Sequence, residues 1–345
     1  MFMKRKEVIE NKGKMEIRNC RIAGMGAYLP ERVVTNDELG RFLGVTNDWI
    51  IERCGIRERR FAAQGEGTAA MAAKAIRSAV GDAGWSLGDV DFIIFATLSP
   101  DHFFPGSGCY AQALLGLPNI PVMDVRNQCS GFVYSLVVAN ALIASAQYHR
   151  VVVVGAEVHS HCLEVPETNN EVAVLFGDAA AAVALEESDT PTILASELHV
   201  DGGGADALKM EVFDNSRRPF LTVEDIQNRR HIPVMDGIRV FRRAVVEMTA
   251  TSKALLEKAG KRIEDVDLVI AHQANLRIVE MVRHRLGLPP EKMFNNIQTR
   301  GNTTAASIPL AMVEARDAGK FRRGDLLLLV TFGSGFTWGG AVIRY

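Results

Sequence analysis

Two ten-residue blocks of this 345-residue chain match each other, and this internal repeat limits the possible folds more than any other feature. Residues 83–92 read AGWSLGDVDF and residues 259–268 read AGKRIEDVDL, so Ala-Gly and Asp-Val-Asp recur at an offset of 176 residues (83 to 259). A second pair follows in the same order, FGDAAAAVAL at 176–185 and FGSGFTWGGAVI at 332–343. One match could arise by chance, but two in the same order indicate a duplicated half.

Short apolar runs alternate with helical patterns along both halves. The apolar runs lie at 92–98, 151–156, 268–271 and 326–332. The helical patterns lie at 68–83, 131–146, 237–258 and 276–286. Runs without period-two alternation are typical of strands that are buried on both faces. The alternation of strand and helix therefore predicts an α/β fold.

The repeat and the α/β pattern together predict two similar halves that meet around one site. We place a frayed tail at 1–14, an N-terminal half at 15–190 and a C-terminal half at 191–345. Both halves are of ordinary domain size.

Composition excludes several classes of protein. Lys plus Arg number 39 and Asp plus Glu number 41, and this balance argues against a dedicated nucleic-acid binder. Five cysteines without a C-x-x-C pair argue against a disulfide framework and a structural zinc site. No apolar run approaches the ~20 residues of a membrane span, and no signal-like stretch follows the first residues. We therefore expect a cytoplasmic protein without nucleic-acid or membrane partners.

Cys129 is the candidate nucleophile. A strand at 121–125 leads into a tight segment, and a helix is predicted to begin around Cys129–Ser130. Unpaired N–H groups and the macrodipole at a helix N-terminus favour a thiolate, so this position suits a reactive sulfur. The alternative is a buried, inert cysteine. Cys20, Cys54, Cys109 and Cys162 lack this setting and are predicted to be structural.

Two polar residues of the second half can join this cysteine. His272 stands at the end of a buried strand, where α/β sheets place their chemistry, and Asn302 precedes a helix of small residues. A structural histidine and a helix-capping asparagine are the alternatives. If the halves are duplicates, the helices beginning at Cys129 and at Asn302 occupy equivalent places and share one site. The other histidines have weaker claims, namely His102, His149, His159, His161, His199, His231 and His284. His159 and His161 form an H-x-H pair without an evident third ligand, so no metal is predicted.

Several segments resemble the signatures of one enzyme family. They are QCSGFVYSL (128–136), HQANLRI (272–278), GNTTAASIP (301–309), FGSGFTWGGAVIRY (332–345), GAYLPERVVTNDEL (26–39), DWIIERCGIRERRFAA (48–63) and LFGDAAAAV (175–183). Together they resemble β-ketoacyl-acyl-carrier-protein synthase III, a thiolase-fold condensing enzyme, over residues 16–345. Biosynthetic thiolases fit less well, because no cysteine follows Cys162. The elongating synthases pair their cysteine with two histidines, whereas this chain offers Asn302.

The resemblance implies a thiolase-like fold of α-β-α-β-α layers, a homodimer and a Cys129–His272–Asn302 triad. The backbone N–H groups of Cys129 and Ser334 would form the oxyanion hole. Cys129 would take an acyl group from a thioester, and a malonyl-carrier protein would then lose carbon dioxide and condense with that group. This chemistry needs no metal or redox cofactor.

The resemblance also implies substrate and carrier contacts. Trp49 and Arg53 would hold the coenzyme A adenine and phosphate, Phe104 would cap the neighbouring subunit's acyl tunnel, and Met235 and Phe332 would line the pocket. Arg242, Arg243 and Arg277 would form a basic rim for acyl carrier protein. Ordinary core packing and solvated surface charge are the alternatives for Trp49, Arg53 and the rim.

Three departures from the family pattern indicate a specialised relative. Asn170 stands where the family has an adenine-stacking arginine, Ile238 stands where a polar asparagine is expected, and the polar, loop-like segment 202–235 is longer than usual. Alternative functions are acyl transfer to an alcohol or amine, condensation without decarboxylation, and a non-catalytic partner subunit.

Overall fold

The structure is a computed structural model that describes residues 18–162 and 170–345. The tail expected at 1–14 lies outside these residues. Up to residue 190 the elements are β1 (Asn19–Tyr28), β2 (Arg32–Thr35), α1 (Asn36–Leu43), α2 (Asn47–Cys54), β3 (Glu58–Phe61), α3 (Thr68–Asp82), β4 (Phe92–Ala96), α4 (Ser107–Leu115), β5 (Val122–Val125), α5 (Gly131–Ala144), β6 (Arg150–Glu157), α6 (Asn170–Ala173) and β7 (Ala179–Ser188).

The remaining elements repeat much of this order. They are β8 (Ile193–Val200), β9 (Leu208–Lys209), α7 (Val223–Gln227), β10 (Val234–Met235), α8 (Gly237–Lys258), β11 (Leu268–Ala271), α9 (Leu276–Leu286), α10 (Ile297–Arg300), α11 (Ser307–Asp317), β12 (Leu326–Gly333) and β13 (Thr337–Arg344).

Two mixed sheets share one topology. The first has the order β1-β7-β6-β4-β5 and the second the order β8-β13-β12-β11. In each sheet the first three strands pair antiparallel, and the third strand pairs parallel with the fourth. Where the second sheet has no fifth strand, Met293 forms a single parallel bridge with Val269. The first residues of α5 and α11, Gly131 and Ser307, lie at the same 176-residue offset as the sequence repeat (131 to 307).

The layers follow from which face each strand residue presents. On β6, Val151 and Val153 pack in the core with residues of α5 and α11, whereas Val152 and Val154 pack with α3 and α4. On β12, alternate leucines face α11 or the outer pair α8 and α9. This produces the predicted five layers, α-β-α-β-α. Both faces of the central strands are buried, which explains their continuous apolar runs. None of the helices in the described ranges is long and apolar enough to cross a membrane.

Two local expectations are corrected. The helix expected at Cys129 begins at Gly131, after a 3-10 turn over Gln128–Ser130. The helix expected near Asn302 begins at Ser307, after a 3-10 turn over Thr304–Ala306. The two turns are equivalent in the repeat, so the counterpart of Cys129 is Ala305 rather than Asn302. Both helix N-termini still point toward one centre.

The segment 202–235 is more ordered than its polar sequence indicates. It contains a 3-10 turn at Gly202–Ala207, the β9–β10 pair and α7. Asp225, 1% exposed, holds the segment together. Its carboxylate accepts hydrogen bonds from Arg217, Arg230 and both the N–H and hydroxyl of Thr222.

Candidate active site

A cavity of about 1470 Å³ opens at the carboxyl ends of the parallel strands. It brings together most of the predicted site residues: Cys129, His272, Asn302, Ser334, Arg53, Met235, Phe332, Arg242 and Arg277. Cys129 comes from the first half, and His272 and Asn302 come from the second. The site therefore exists only where the two halves meet.

Contacts from the second half fix the Cys129 backbone. The hydroxyl of Thr331 donates a hydrogen bond to the Cys129 carbonyl oxygen at 3.0 Å. A Cβ atom on Gly333 would lie 3.1 Å from the Cys129 Cβ and 3.2 Å from its N, so this close approach favours glycine. The 333–335 loop beside the sulfur lines the same cavity, which is the placement an oxyanion hole needs.

Burial determines the protonation of the Cys129 sulfur. Desolvation by burial, together with the nearby Glu157 carboxylate, raises the pKa of the Cys129 thiol to about 12. The expected thiolate is therefore wrong for the free site, because loss of water outweighs the effect of the helix terminus. A base must receive the thiol proton when the sulfur reacts.

His272 lines the same cavity and is the candidate for that base. Its Nδ1 lies 2.6 Å from the hydroxyl oxygen of Ser307, while Nε2 is buried and has no hydrogen-bond partner in the described chain. Burial lowers the pKa of His272 to about 3, so the imidazole is neutral at physiological pH. A neutral ring with a free nitrogen can accept a proton or, in its other tautomer, donate a hydrogen bond.

Asn302 presents its amide group to the cavity. The side-chain Oδ1 accepts a hydrogen bond from the Thr304 backbone N–H at 2.9 Å. The backbone N–H of Asn302 donates to the Leu175 carbonyl oxygen at 2.8 Å. With Oδ1 engaged in this way, Nδ2 is the atom left to donate to a substrate oxygen. Asn302 therefore does not cap α11, which begins five residues later at Ser307 (302 to 307).

Two further polar residues lie beside this site, of which the sequence pointed to His159 only weakly and to Glu157 not at all. Glu157, with no exposed surface, ends β6 and accepts hydrogen bonds from the N–H groups of Leu98, Ser99 and Ala305. His159, given a weaker claim, also lines the cavity. The available sequence signal for Glu157 was an acidic residue directly after the apolar run of β6. The carboxyl ends of parallel strands meet at the site, so a polar residue there is a candidate for a functional role.

Only some of the residues predicted to contact substrate line the cavity. The Arg53 guanidinium lies 4.2 Å from the Trp49 ring centroid, and Arg53 lines the cavity while Trp49 does not. Phe332 is buried against Phe336 inside the cavity wall. Phe104 is 80% exposed and lies outside the cavity.

The predicted basic rim is only partly formed. Arg242 and Arg277 are exposed and line the cavity. Arg243 does not line it and instead pairs with Asp201 and Glu247, at 3.1 and 2.8 Å. Its side chain is 41% exposed and its charge is paired with two carboxylates, so a place for Arg243 on the rim stays a prediction. Ile238, a departure from the family pattern, is 68% exposed at the cavity. Asn170 begins α6.

Comparison with known proteins assigns the family. Residues 123–202 match the family described as 3-oxoacyl-[acyl-carrier-protein (ACP)] synthase III, and residues 256–345 match its C-terminal region. The β-ketoacyl-[acyl-carrier-protein] synthase III of Roseiflexus castenholzii is 42% identical over 325 residues, covering 94% of this chain and 97% of that protein. The chain belongs to the β-ketoacyl-[acyl-carrier-protein] synthase III family.

Solved structures share the synthase III fold. The synthase III of Aquifex aeolicus VF5 superposes with a TM-score of 0.86 at 39% identity, covering 95% of this chain and 100% of that one. The priming β-ketosynthase of the R1128 polyketide pathway gives 0.88 at 31% identity, covering 96% and 97%. The predicted thiolase-like fold and β-ketoacyl synthase function are confirmed. The chain is an enzyme of the acyl-transferring condensing class, and synthase III enzymes use acyl carrier protein and acyl thioesters.

Proposed function

We propose that this chain joins an acyl thioester primer to a malonyl-carrier protein by decarboxylative Claisen condensation, through an acyl-Cys129 intermediate. The observation that carries this proposal is the unpaired Nε2 of buried His272 in the same cavity as Cys129 and the Asn302 amide. The three side chains supply a nucleophile, a base and a second hydrogen-bond donor. No step of this chemistry requires a metal or redox cofactor.

In the first half-reaction Cys129 takes the acyl group. The thiol gives its proton to Nε2 of His272 as the sulfur attacks the thioester carbonyl. The N–H groups of Cys129 and Ser334 stabilise the tetrahedral oxyanion. The carrier thiolate then leaves with the proton from His272, which returns the imidazole to its neutral form.

In the second half-reaction the malonyl thioester loses carbon dioxide and becomes an enolate. Nε2–H of His272 and Nδ2–H of Asn302 donate hydrogen bonds to the enolate oxygen, where negative charge develops. The enolate carbon attacks the acyl-Cys129 carbonyl, the C–S bond breaks, and the β-ketoacyl product leaves on the carrier. The released Cys129 thiolate takes up a proton from solvent and returns to the thiol. Burial keeps the His272 ring neutral, and in the tautomer with Nε2–H a neutral ring can donate this hydrogen bond.

Partner surfaces follow from the exposed groups. Arg242 and Arg277 at the cavity fit an acidic carrier protein. Strand β5 lies at the edge of its sheet, and Phe104, which precedes it in the chain, is exposed. A second subunit of a homodimer would cover both the open strand edge and the Phe104 ring. The free thiols Cys20, Cys54 and Cys109 fit a reducing compartment, so the cytoplasm remains the proposed location.

Acyl transfer to Cys129 tests the proposal directly. The protein is incubated with labelled acyl thioesters of coenzyme A and of carrier protein, and the adduct is located by mass spectrometry. Cys129→Ala should lose the adduct and the condensation product, and Cys109→Ala, which changes an exposed cysteine on α4, should retain both. Full condensing activity in Cys129→Ala would overturn the proposal.

A condensation without decarboxylation remains the second candidate. The exposed Ile238 at the cavity favours it, because an apolar side chain replaces the expected polar contact to the substrate arm. Measured release of carbon dioxide in proportion to product supports the first candidate. Product formation from two acyl thioesters without carbon dioxide supports the second.

A further inference from the structure

His159 has no role in the chemistry described above, yet its ring lies in the wall of the catalytic cavity. It follows the end of β6 and is 12% exposed at its side chain. The imidazole packs against Phe176, with ring centroids 4.5 Å apart. Both side chains line the cavity that contains Cys129.

The imidazole is held in a fixed orientation. The His159 N–H donates to the buried carboxylate of Asp178 at 2.7 Å, which anchors the backbone. Nε2 lies 2.7 Å from the Thr304 hydroxyl oxygen and 3.9 Å from Glu157 Oε2. A ring fixed through backbone and Nε2 presents its other nitrogen in one direction, as recognition of a particular group requires.

The second ring nitrogen has no hydrogen-bond partner among the residues that the structure describes. Nδ1 makes no hydrogen bond to any residue in the described ranges, and it is not among the fully enclosed unpaired atoms. Its neighbours in the wall are largely apolar, including Phe176 and Val158. A saturated acyl chain would cover Nδ1 without satisfying it, whereas a hydroxyl or carbonyl group would pair with it.

The position relative to the sulfur limits which part of a substrate reaches His159. The Thr304 hydroxyl, 2.7 Å from His159 Nε2, belongs to the 3-10 turn Thr304–Ala306, and a Cβ on Gly131, two residues after Cys129, would lie 3.7 Å from the Ala305 Cβ. The Glu157 carboxylate, 3.9 Å from His159 Nε2, also raises the pKa of the Cys129 thiol. The ring therefore lies near the thioester end of a bound acyl group rather than at its tail.

We propose that His159 is a specificity residue that hydrogen-bonds an oxygen substituent near the thioester of the acyl donor. The substrate class is then a 3-hydroxyacyl or 3-oxoacyl thioester in preference to a saturated one. This inference rests on the proposed acylation of Cys129. It adds that a site with an unpaired polar group discriminates against a donor that cannot pair with it.

A single-turnover comparison of donors tests the inference. Octanoyl, 3-hydroxyoctanoyl and 3-oxooctanoyl thioesters of N-acetylcysteamine are offered to the full chain, and acylation of Cys129 is timed by mass spectrometry. At least one oxygenated donor should react ~10-fold faster than octanoyl, equivalent to ~1.4 kcal/mol. His159→Leu should remove this difference while still accepting octanoyl, and His159→Gln should retain part of it.

His199→Ala is the matched control, because His199 lies on β8 outside the cavity and should leave the preference unchanged. Equal rates for the three donors in the unaltered protein would overturn the inference and leave the proposed function intact. A preference that persists in His159→Leu would also overturn it. If no donor acylates Cys129, the proposed function fails and the inference fails with it.

Discussion

Nδ1 of His272 lies 2.6 Å from the hydroxyl oxygen of Ser307, and this contact joins the end of β11 to the first residue of α11. A hydroxyl can accept a hydrogen bond from Nδ1–H or donate one to bare Nδ1. Ser307 therefore supports both neutral tautomers of His272. The proposed reaction uses both, one to accept the thiol proton at Nε2 and one to donate from Nε2–H to the enolate.

Removal of the Ser307 hydroxyl should impair catalysis more than binding. Ser307→Ala is expected to lower kcat roughly tenfold or more, part of the 10²–10⁴ that an acid–base group contributes, with a smaller change in KM. Steady-state condensation assays measure both constants. Ser252→Ala removes another buried hydroxyl, which bonds only within α8, and should leave kcat unchanged. A loss confined to KM in Ser307→Ala would contradict the tautomer role.

The alkylation of Cys129 should depend steeply on pH. Because the pKa of the Cys129 thiol is raised to about 12, the reactive thiolate fraction should increase about tenfold per pH unit from neutral pH upward. Iodoacetamide labelling, quantified on the Cys129 peptide, measures this rate. A labelling rate whose midpoint lies near pH ~8.5, the ordinary pKa of a thiol, would contradict the effect of burial.

Removal of the Glu157 charge should shift the pH dependence of Cys129 alkylation to lower pH. Glu157→Gln removes a neighbouring negative charge, so the pKa of Cys129 should fall and labelling at a given pH should become faster. Glu247→Gln changes an acid that pairs with Arg243 outside the cavity and should not move the profile. An unchanged profile in Glu157→Gln would show that the carboxylate does not act on the sulfur.

Charge reversal at the rim should weaken carrier-protein substrates selectively. Arg242→Glu and Arg277→Glu are expected to raise KM for malonyl-carrier protein roughly tenfold at low salt, with the difference shrinking as ionic strength rises. Arg322→Glu reverses an exposed charge just before the start of β12, at the opposite strand ends, and serves as control. Equal KM values for all three variants would remove the rim from the docking surface.

The 202–235 segment should loosen in acid or when Asp225 loses its charge. Its hydrogen bonds from Thr222 and its arginine partners lower the pKa of Asp225 to about 2. A carboxyl with a lowered pKa stabilises the fold above its unfolded value, ~3.9, and this stabilisation is lost as pH falls toward 2. Asp225→Asn should therefore speed limited proteolysis within the segment at neutral pH. Asp214→Asn, a half-buried carboxyl of the same segment whose hydrogen bonds come only from nearby Ser216, should not.

The sequence determined the parts of this protein that are local or periodic. The repeat with its 176-residue offset (131 to 307) predicted two sheets of one topology, because each half carries its own strand and helix pattern. Segments around Cys129, His272 and Asn302 identified the candidate reacting side chains, because those residue types carry their chemistry wherever the chain places them, and the structure brings all three to one cavity. The thiolate expectation failed because desolvation depends on the atoms that surround the sulfur, and these come from both halves.

Only the tertiary structure decided which residues support the triad. Glu157 and Ala305 lie 148 residues apart in sequence and share a hydrogen bond, and His159 and Thr304 meet across 145 residues. His272 finds Ser307 in the same way, across 35 residues. None of these pairs has a sequence spacing that predicts a contact. The first two form where one half packs against the other, and the third forms within the second half. The same packing surrounds the Cys129 sulfur and the His272 ring, and this desolvation favours the neutral forms on which the proposed chemistry depends.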